Sequence, residues 1–294
     1  MDSSAPRLTV GIVGTGRVGA VLGAALARAG HTVTAVSAVS AASRDRAARL
    51  LPGVPLVPAD EVPRSAALVL LTVPDDALPD LVAGLASTGA LRAGQLVAHT
   101  SGRHGLAVLE PAVRRGALPL ALHPVLPFAG TEVDLARLTG ASFGTTSPEA
   151  LRPVAEALVL EVGGEPVWVP EEQRPLWHAA LAHGSNHLVT LVASAADLLR
   201  AAGVDEPGQV LGPLLGAALD GALRGGDAAL TGPVARGDAG TVRAHLQVLG
   251  ATAPEVLGAY VAMARLTADR ALAAGRLDPA RAGALLEVLG TVAS

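Results

Sequence analysis

The sequence predicts an α/β protein: a doubly wound parallel sheet over residues 1–169, followed by an all-α domain over residues 170–294. Three observations carry this. Short apolar runs of strand length alternate with helical patterns through the first half, and the strand runs stop near Val169 and Pro170. Half of the 294 residues are hydrophobic, enough for two domains and a large core. Alternating strands and helices build parallel sheets covered on both faces. Aromatics make up only 2%, so the core has to be assembled from Ala, Leu and Val.

Taken in order, strands are expected over residues 8–13, 32–36, 68–73, 95–98 and 117–122, each bounded by Gly, Pro or Ser. Helical patterns fall between them at 18–29, 76–86 and 106–115. Two further strands, 141–145 and 166–169, flank a helix near 149–161 and extend the same sheet. From Glu171 onward helices follow one another, broken at GVDEPG, RGG, LTGPVARGD and GRLDP, where Gly and Pro end helices.

Composition excludes several classes. A net charge of −4 gives no basic face for nucleic acid. No apolar run approaches the ~20 residues of a membrane span, and the N-terminus lacks the pattern of a signal peptide. There is no cysteine, so disulfides and thiolate chemistry are excluded. The expected setting is cytoplasmic. Lysine is also absent, and all 22 basic residues are arginine.

The first strand runs into Gly14-x-Gly16-x-x-Gly19, which opens a helix leading to a second strand. That context makes the glycines a dinucleotide fingerprint of Rossmann type. Gly14 serves the tight turn, Gly16 the approach of a pyrophosphate and Gly19 close helix packing. Thr15, Arg17 and Val18 complete the loop at the helix N-terminus, which favours anions. After the second strand the chain reads AVSAVSAASRDR, with Ser37, Ser43, Arg44 and Arg46 and no acid before Asp45. Hydroxyls and guanidinium groups suit a 2′-phosphate, so NADP(H) is expected over NAD; the same arginines could instead merely solvate a helix start. Later loops at carboxyl ends of strands should line the cofactor cleft, bringing in Val73, Pro74, His99 and Ser101, with Ser101 and His123 turned to substrate.

GxGxxG, VPDD, HTSG, HP…F, HAALAHGSNHL and LTGPVARGD, in this order, resemble the Rossmann-like proteins that carry a DUF2520 domain. That group is similar to the 6-phosphogluconate and β-hydroxyacid dehydrogenase superfamily, including ketopantoate and pyrroline-5-carboxylate reductases. The resemblance implies an NADP-linked oxidoreductase whose helical domain closes the substrate site and forms a homodimer. It also implies a catalytic lysine followed one turn later by asparagine. Here that segment reads His183-x-x-Asn186, and no lysine exists to take the role.

The helical stretch 177–199 holds these residues. On a wheel at about 100° per residue, His183, Asn186, His187, Thr190, Ser194 and Asp197 fall on one stripe, and His178 lies off it. The stripe could face solvent, hold a metal through the i,i+4 pair His183 and His187, or line a cleft against the nicotinamide. The remaining metal ligands would have to come from His99, His104, His123 or Asp197, no motif forces this, and no metal is expected. In the cleft, His183 is the first choice as acid/base, Asn186 a donor to the acceptor oxygen, His178 the second choice, and Thr190 a substrate contact. Arg236 either grips a substrate carboxylate or makes a structural ion pair. The function expected is NADPH-dependent reduction of a small carboxylate-bearing keto acid or imine, ketopantoate being the most specific guess. The alternatives are a non-catalytic NADP-binding sensor and, behind it, a metal-dependent hydrolase.

Overall fold

The computed structural model describes residues 7–291. The chain divides into two compact units, residues 1–184 and 185–294. The division lies beyond the last strand because the helix that follows it packs with the first unit, where its Arg174 is fully buried.

In the first unit the order is β1 (Thr9–Val13), α1 (Arg17–Arg28), β2 (Thr32–Ser37), α2 (Ala41–Leu50), β3 (Leu68–Leu71) and α3 (Leu78–Ser87). Then come β4 (Leu96–His99), α4 (Glu110–Val113), β5 (Leu118–Pro124), α5 (Glu132–Arg137), β6 (Ser142–Thr146), α6 (Arg152–Glu161), β7 (Glu165–Trp168) and α7 (Arg174–Leu181). The strands form one sheet in the order β2-β1-β3-β4-β5-β6-β7. All pairings are parallel except β5 with β6. Strand order reverses beside β1, between β2 and β3, which is the place where open α/β sheets take ligands.

Period-2 alternation sends side chains to opposite faces, and both faces are apolar. Val10, Ile12, Leu68 and Leu70 pack with Val21 and Leu22 of α1 and Leu158 of α6. Val13, Val69, Leu71 and Val97 pack with Leu78, Val82 and Leu85 of α3. Each such side chain, fully buried, contributes about 1.5–3 kcal/mol.

Several helices start later than periodicity predicts. The stretch expected at 106–115 is a 3₁₀ turn, Leu106–Leu109, followed by the short α4. α3 and α6 likewise start after 3₁₀ turns, and α7 also follows one but begins at Arg174, before the stretch predicted from 177. In each case a proline (Pro79, Pro111, Pro153 or Pro175) is the second residue of the α-helix. Proline has no N–H and fits the first turn, so the α ladder begins there and cannot extend back through it.

α7 runs into a π-helical segment, Ala182–Asn186, so the uniform wheel applied to 177–199 does not hold across it. The second unit continues with α8 (His187–Ala201), α9 (Pro207–Gly225), α10 (Gly232–Arg236), α11 (Ala239–Thr252), α12 (Pro254–Ala273) and α13 (Pro279–Gly290). Its core joins α11, α12 and α13 through Val242, Leu246, Val261, Ala268, Leu285 and Leu289. α8 buries none of its residues, and α9 buries only Pro207 and Leu211. No described helix is long and apolar enough to cross a membrane.

Candidate cofactor and substrate site

The three fingerprint glycines differ in what demands them. Gly14 sits at φ +97°, in the left-handed region that favours glycine. A Cβ on Gly19 would lie 2.2 Å from both Gly14 O and Thr72 Oγ1, so α1 can approach the loop only without a side chain there. Gly16 has an ordinary φ of −64°, and a Cβ on it would meet only Thr72 O at 3.9 Å. Nothing inside the protein requires glycine at 16; open space above a helix N-terminus is what a diphosphate needs. Gly16 is the N-cap of α1, which has no side-chain cap and no acid in its first turn, a fit for an anion.

Ser37 closes β2 and accepts from Gly14 N–H at 3.1 Å, while its carbonyl takes Thr15 N–H at 2.9 Å and Thr15 Oγ1 at 3.2 Å. Ser37 and Thr15 are buried and shape the loop. Ser43 is buried as well, its N–H accepted by the N-cap Ser40 Oγ and its own hydroxyl donated to Ser40 O. The cations remain outside: Arg17 and Arg44 are exposed, Arg44 donates to Val39 O at 2.7 Å, and Arg46 donates to Thr15 O at 3.4 Å. A Cβ on Gly130 would touch Arg46 Cδ and Nε at 2.7 Å and Arg17 Cγ at 3.1 Å. Arg17 and Arg46 therefore share one spot beside the glycine loop. No carboxylate ends β2 to repel a 2′-phosphate.

The loops after β3 and β4 are tied together. Arg103 pairs with Asp76 at 2.9 Å and reaches Asp75 at 3.8 Å, close to Val73 and the exposed Pro74. His99 is fully buried. Its Nδ1 accepts from Ser101 N–H at 3.2 Å and its Nε2–H donates to Gly105 O at 2.8 Å. Burial, helped by the Arg174 charge and opposed by the Gly105 carbonyl, lowers its pKa to about 4. His99, expected among the cofactor contacts, thus commits both ring nitrogens to the loop. It is buried and shapes that loop from within. Ser101 is also buried, its Oγ accepting from His104 N–H at 3.1 Å.

Sequence reasoning missed the residue that binds these pieces. Arg174 donates to Ser101 O at 2.7 Å, to Thr146 Oγ1 at 2.9 Å and to Gly144 O at 3.3 Å, and its Nε has no hydrogen-bond partner. Burial lowers its pKa to about 10, which leaves it cationic at neutral pH. In the stretch EEQRP it reads as an ordinary surface charge. Trp177 and His178, three and four residues on, share its helix face. Trp177 Nε1–H donates to His123 Nδ1 at 3.2 Å, and His178 meets His123 edge to face. His123 and His178 are half-buried.

The remaining candidates lie on exposed helix. His183 and Asn186 belong to the π-helical segment, and His187 and Thr190 to the start of α8; all four are exposed. Thr190 Oγ1 donates to Asn186 O at 3.4 Å. Asp197 pairs with Arg200 at 2.6 Å. Arg236 ends α10 and is exposed, while Asp238 caps α11 by accepting from Thr241 N–H at 3.1 Å. Among the described residues no three His, Cys, Asp or Glu side chains gather as a metal-ligand set.

Residues 1–124 match the Rossmann-like domain, and residues 141–267 match a domain of unknown function, DUF2520. The chain is a Rossmann-like/DUF2520 protein. No curated protein matches it. Among solved structures, the "putative NADP oxidoreductase" from Bacteroides fragilis is 22% identical with a TM-score of 0.75, over 90% of this chain and 98% of that one. An imine reductase from Pseudomonas sp. is 20% identical with a TM-score of 0.66, over 97% and 100%. A reductive aminase from Aspergillus terreus, in complex with NADPH and ethyl levulinate, is 19% identical with a TM-score of 0.62, over 92% and 95%. At these identities the Rossmann-like/DUF2520 chain shares their fold.

Proposed function

We infer that this chain is an NADPH-dependent oxidoreductase acting on a small carboxylate-bearing keto acid or imine, with ketopantoate as the most specific substrate. The carrying observation is Gly16, a glycine that no internal contact or dihedral requires, placed over an uncapped helix N-terminus. Arg17, Arg44 and Arg46 would hold the 2′-phosphate. The solved structures of this fold support the reading, since the Aspergillus enzyme is described with NADPH bound. When bound, NADPH supplies a hydride from its nicotinamide ring.

This chain's residues do the rest. Val73, Pro74 and the His99–Ser101 loop border the cofactor at the strand ends. Ser101, His123, Thr190 and Arg236 bind the substrate, Arg236 through its carboxylate. His183 delivers the proton that accompanies hydride, Asn186 donates to the acceptor oxygen, and His178 is the second candidate for the proton. On this reading residues 1–169 bind NADP, and residues 170–294 serve substrate and a homodimer in the cytoplasm. The apolar side chains left exposed on α9, Val210, Leu214, Leu219 and Leu223, support that dimer.

Titration of the purified protein should show NADPH binding at least tenfold tighter than NADH, and Arg46→Ala with Arg44→Ala should erase that preference. His183→Ala should lower turnover of ketopantoate about 100-fold at unchanged NADPH affinity. Failure to bind either nucleotide below millimolar concentration refutes the enzyme reading. The absence of lysine favours one second reading, a non-catalytic NADP sensor; measurable oxidation of bound NADPH by any keto acid or imine excludes it.

A further inference from the structure

Two imidazole edges converge on Gly102, in the loop after β4. A Cβ there would lie 2.6 Å from His178 Cδ2 and 2.9 Å from His123 Cε1 and Nε2. The rings meet edge to face, centroids 5.9 Å apart at 88°. Behind His123, the Trp177 indole lies across β6 at a point without a side chain, for a Cβ on Gly144 would fall 2.8 Å from three indole atoms. Gly144 is the register partner of His123 across β5 and β6. Glycine opposite the imidazole is thus what lets the indole N–H reach Nδ1, at 3.2 Å.

An indole N–H only donates. Nδ1 must therefore be unprotonated, and the neutral ring carries its hydrogen on Nε2. A doubly protonated ring would set two N–H donors against each other, so this contact opposes the imidazolium. Burial, Arg174 and His178 on α7 oppose it too, with Asp75 from the loop after β3 acting the other way; together they lower the His123 pKa to about 4. The buried Arg174 forms no ion pair among the described residues and biases the neighbourhood toward negative charge.

We propose that Trp177 and Gly144 lock His123 as its neutral Nε2–H tautomer, a fixed donor to a carbonyl or carboxylate oxygen of the substrate bound over Gly102. The ligand half rests on the oxidoreductase reading; the tautomer half does not. An oxygen that gains negative charge as hydride arrives is stabilised by such a preorganised donor beside a cation. An iminium nitrogen has no lone pair to accept that hydrogen, so where the donor meets the reacting atom the geometry selects a carbonyl over an iminium. Trp177 is a positioning residue, acting only through His123.

The test is nitrogen NMR of the full-length protein labelled with ¹⁵N-histidine, with His123 assigned by loss of its signals in His123→Phe. The expected wild-type pattern is a protonated Nε2 and bare Nδ1 from pH 8 down to 5.5. Trp177→Phe should give mixed tautomers or raise the titration midpoint by at least one pH unit. An Nδ1–H tautomer or an imidazolium at pH 7 in the wild type overturns the lock, and needs no variant to fold. An unchanged pattern in folded Trp177→Phe removes Trp177 from it. With NADPH bound, ketopantoate, pyruvate or acetate should move the Hε2 resonance downfield, and 1-pyrroline should not. No response to any of the three oxygen ligands refutes the donor role, whereas failure to bind NADPH refutes the cofactor reading and leaves the tautomer standing.

Discussion

Apart from the exposed Arg17, Arg44, Pro74 and His183 of the first unit, the two units hold their candidate residues in opposite ways. In the first, both faces of the sheet are packed, and Ser37, His99, Ser101 and Arg174 are buried and hydrogen-bonded into the loops they shape. In the second, Asn186, His187, Thr190 and Arg236 stand exposed, and α8 buries nothing. The difference teaches that the glycine and strand-end loops are held in shape by their own unit, while α8 and α9 of the second leave apolar side chains exposed. A binding loop must be rigid before its ligand arrives, because any ordering left undone subtracts from affinity.

The largest expected effect of a single substitution attacks the rigid side. Gly19→Ala places a methyl 2.2 Å from Gly14 O and Thr72 Oγ1; overpacking against backbone should cost about 3 kcal/mol and abolish NADPH binding, read by chemical denaturation and nucleotide titration. Acid should weaken the same unit next. His99 and His123 have folded pKa values lowered to about 4, so between that value and ~6.5 the unfolded chain binds more protons. Their contribution is fully present above pH ~6.5 and is lost as pH falls to 4, by about 3 kcal/mol for each ring. Denaturation midpoints measured from pH 7 to 4 should show it, and His99→Gln should flatten the curve.

On the exposed side, Leu214→Glu with Leu223→Glu should leave the fold intact. On the proposed homodimer it should weaken self-association 100-fold or more, about 3 kcal/mol, seen by sedimentation as a fall to the 29.2 kDa single-chain mass. Unchanged self-association would mean that the α9 face is not the covered one. The smallest effect sharpens the first. Gly16→Ala should leave Tm nearly unchanged yet weaken NADPH binding about tenfold, roughly 1.4 kcal/mol. Two glycines three residues apart would then separate into one required by the fold and one required by the ligand.

Much of this was legible before any coordinates. The glycine fingerprint encodes a local turn, with Gly14 at the left-handed φ and Gly19 at the close helix packing that their places in the motif require. The serines and arginines after β2 are also local, and they gather where the chain order puts them. The helix starts were legible in principle, since each of Pro79, Pro111, Pro153 and Pro175 marks a first turn. What escaped was non-local. Arg174 matters because β6 and the loop after β4 converge on it, and no spacing in EEQRP signals that. Trp177 meets His123 only because antiparallel register puts Gly144 opposite. The π-helical slip at Ala182–Asn186 has no residue signature, so a uniform wheel carried His183 into phase with α8.

The sequence by itself determined the α/β class, the dinucleotide loop, the absence of thiol chemistry and the missing lysine, because these follow from composition and short-range backbone geometry. Tertiary structure decided which histidines form loops and which can donate, where the buried cation lies, and which helices remain uncovered. Those properties depend on residues far apart in the chain, whose meeting is fixed only when the sheet closes its register.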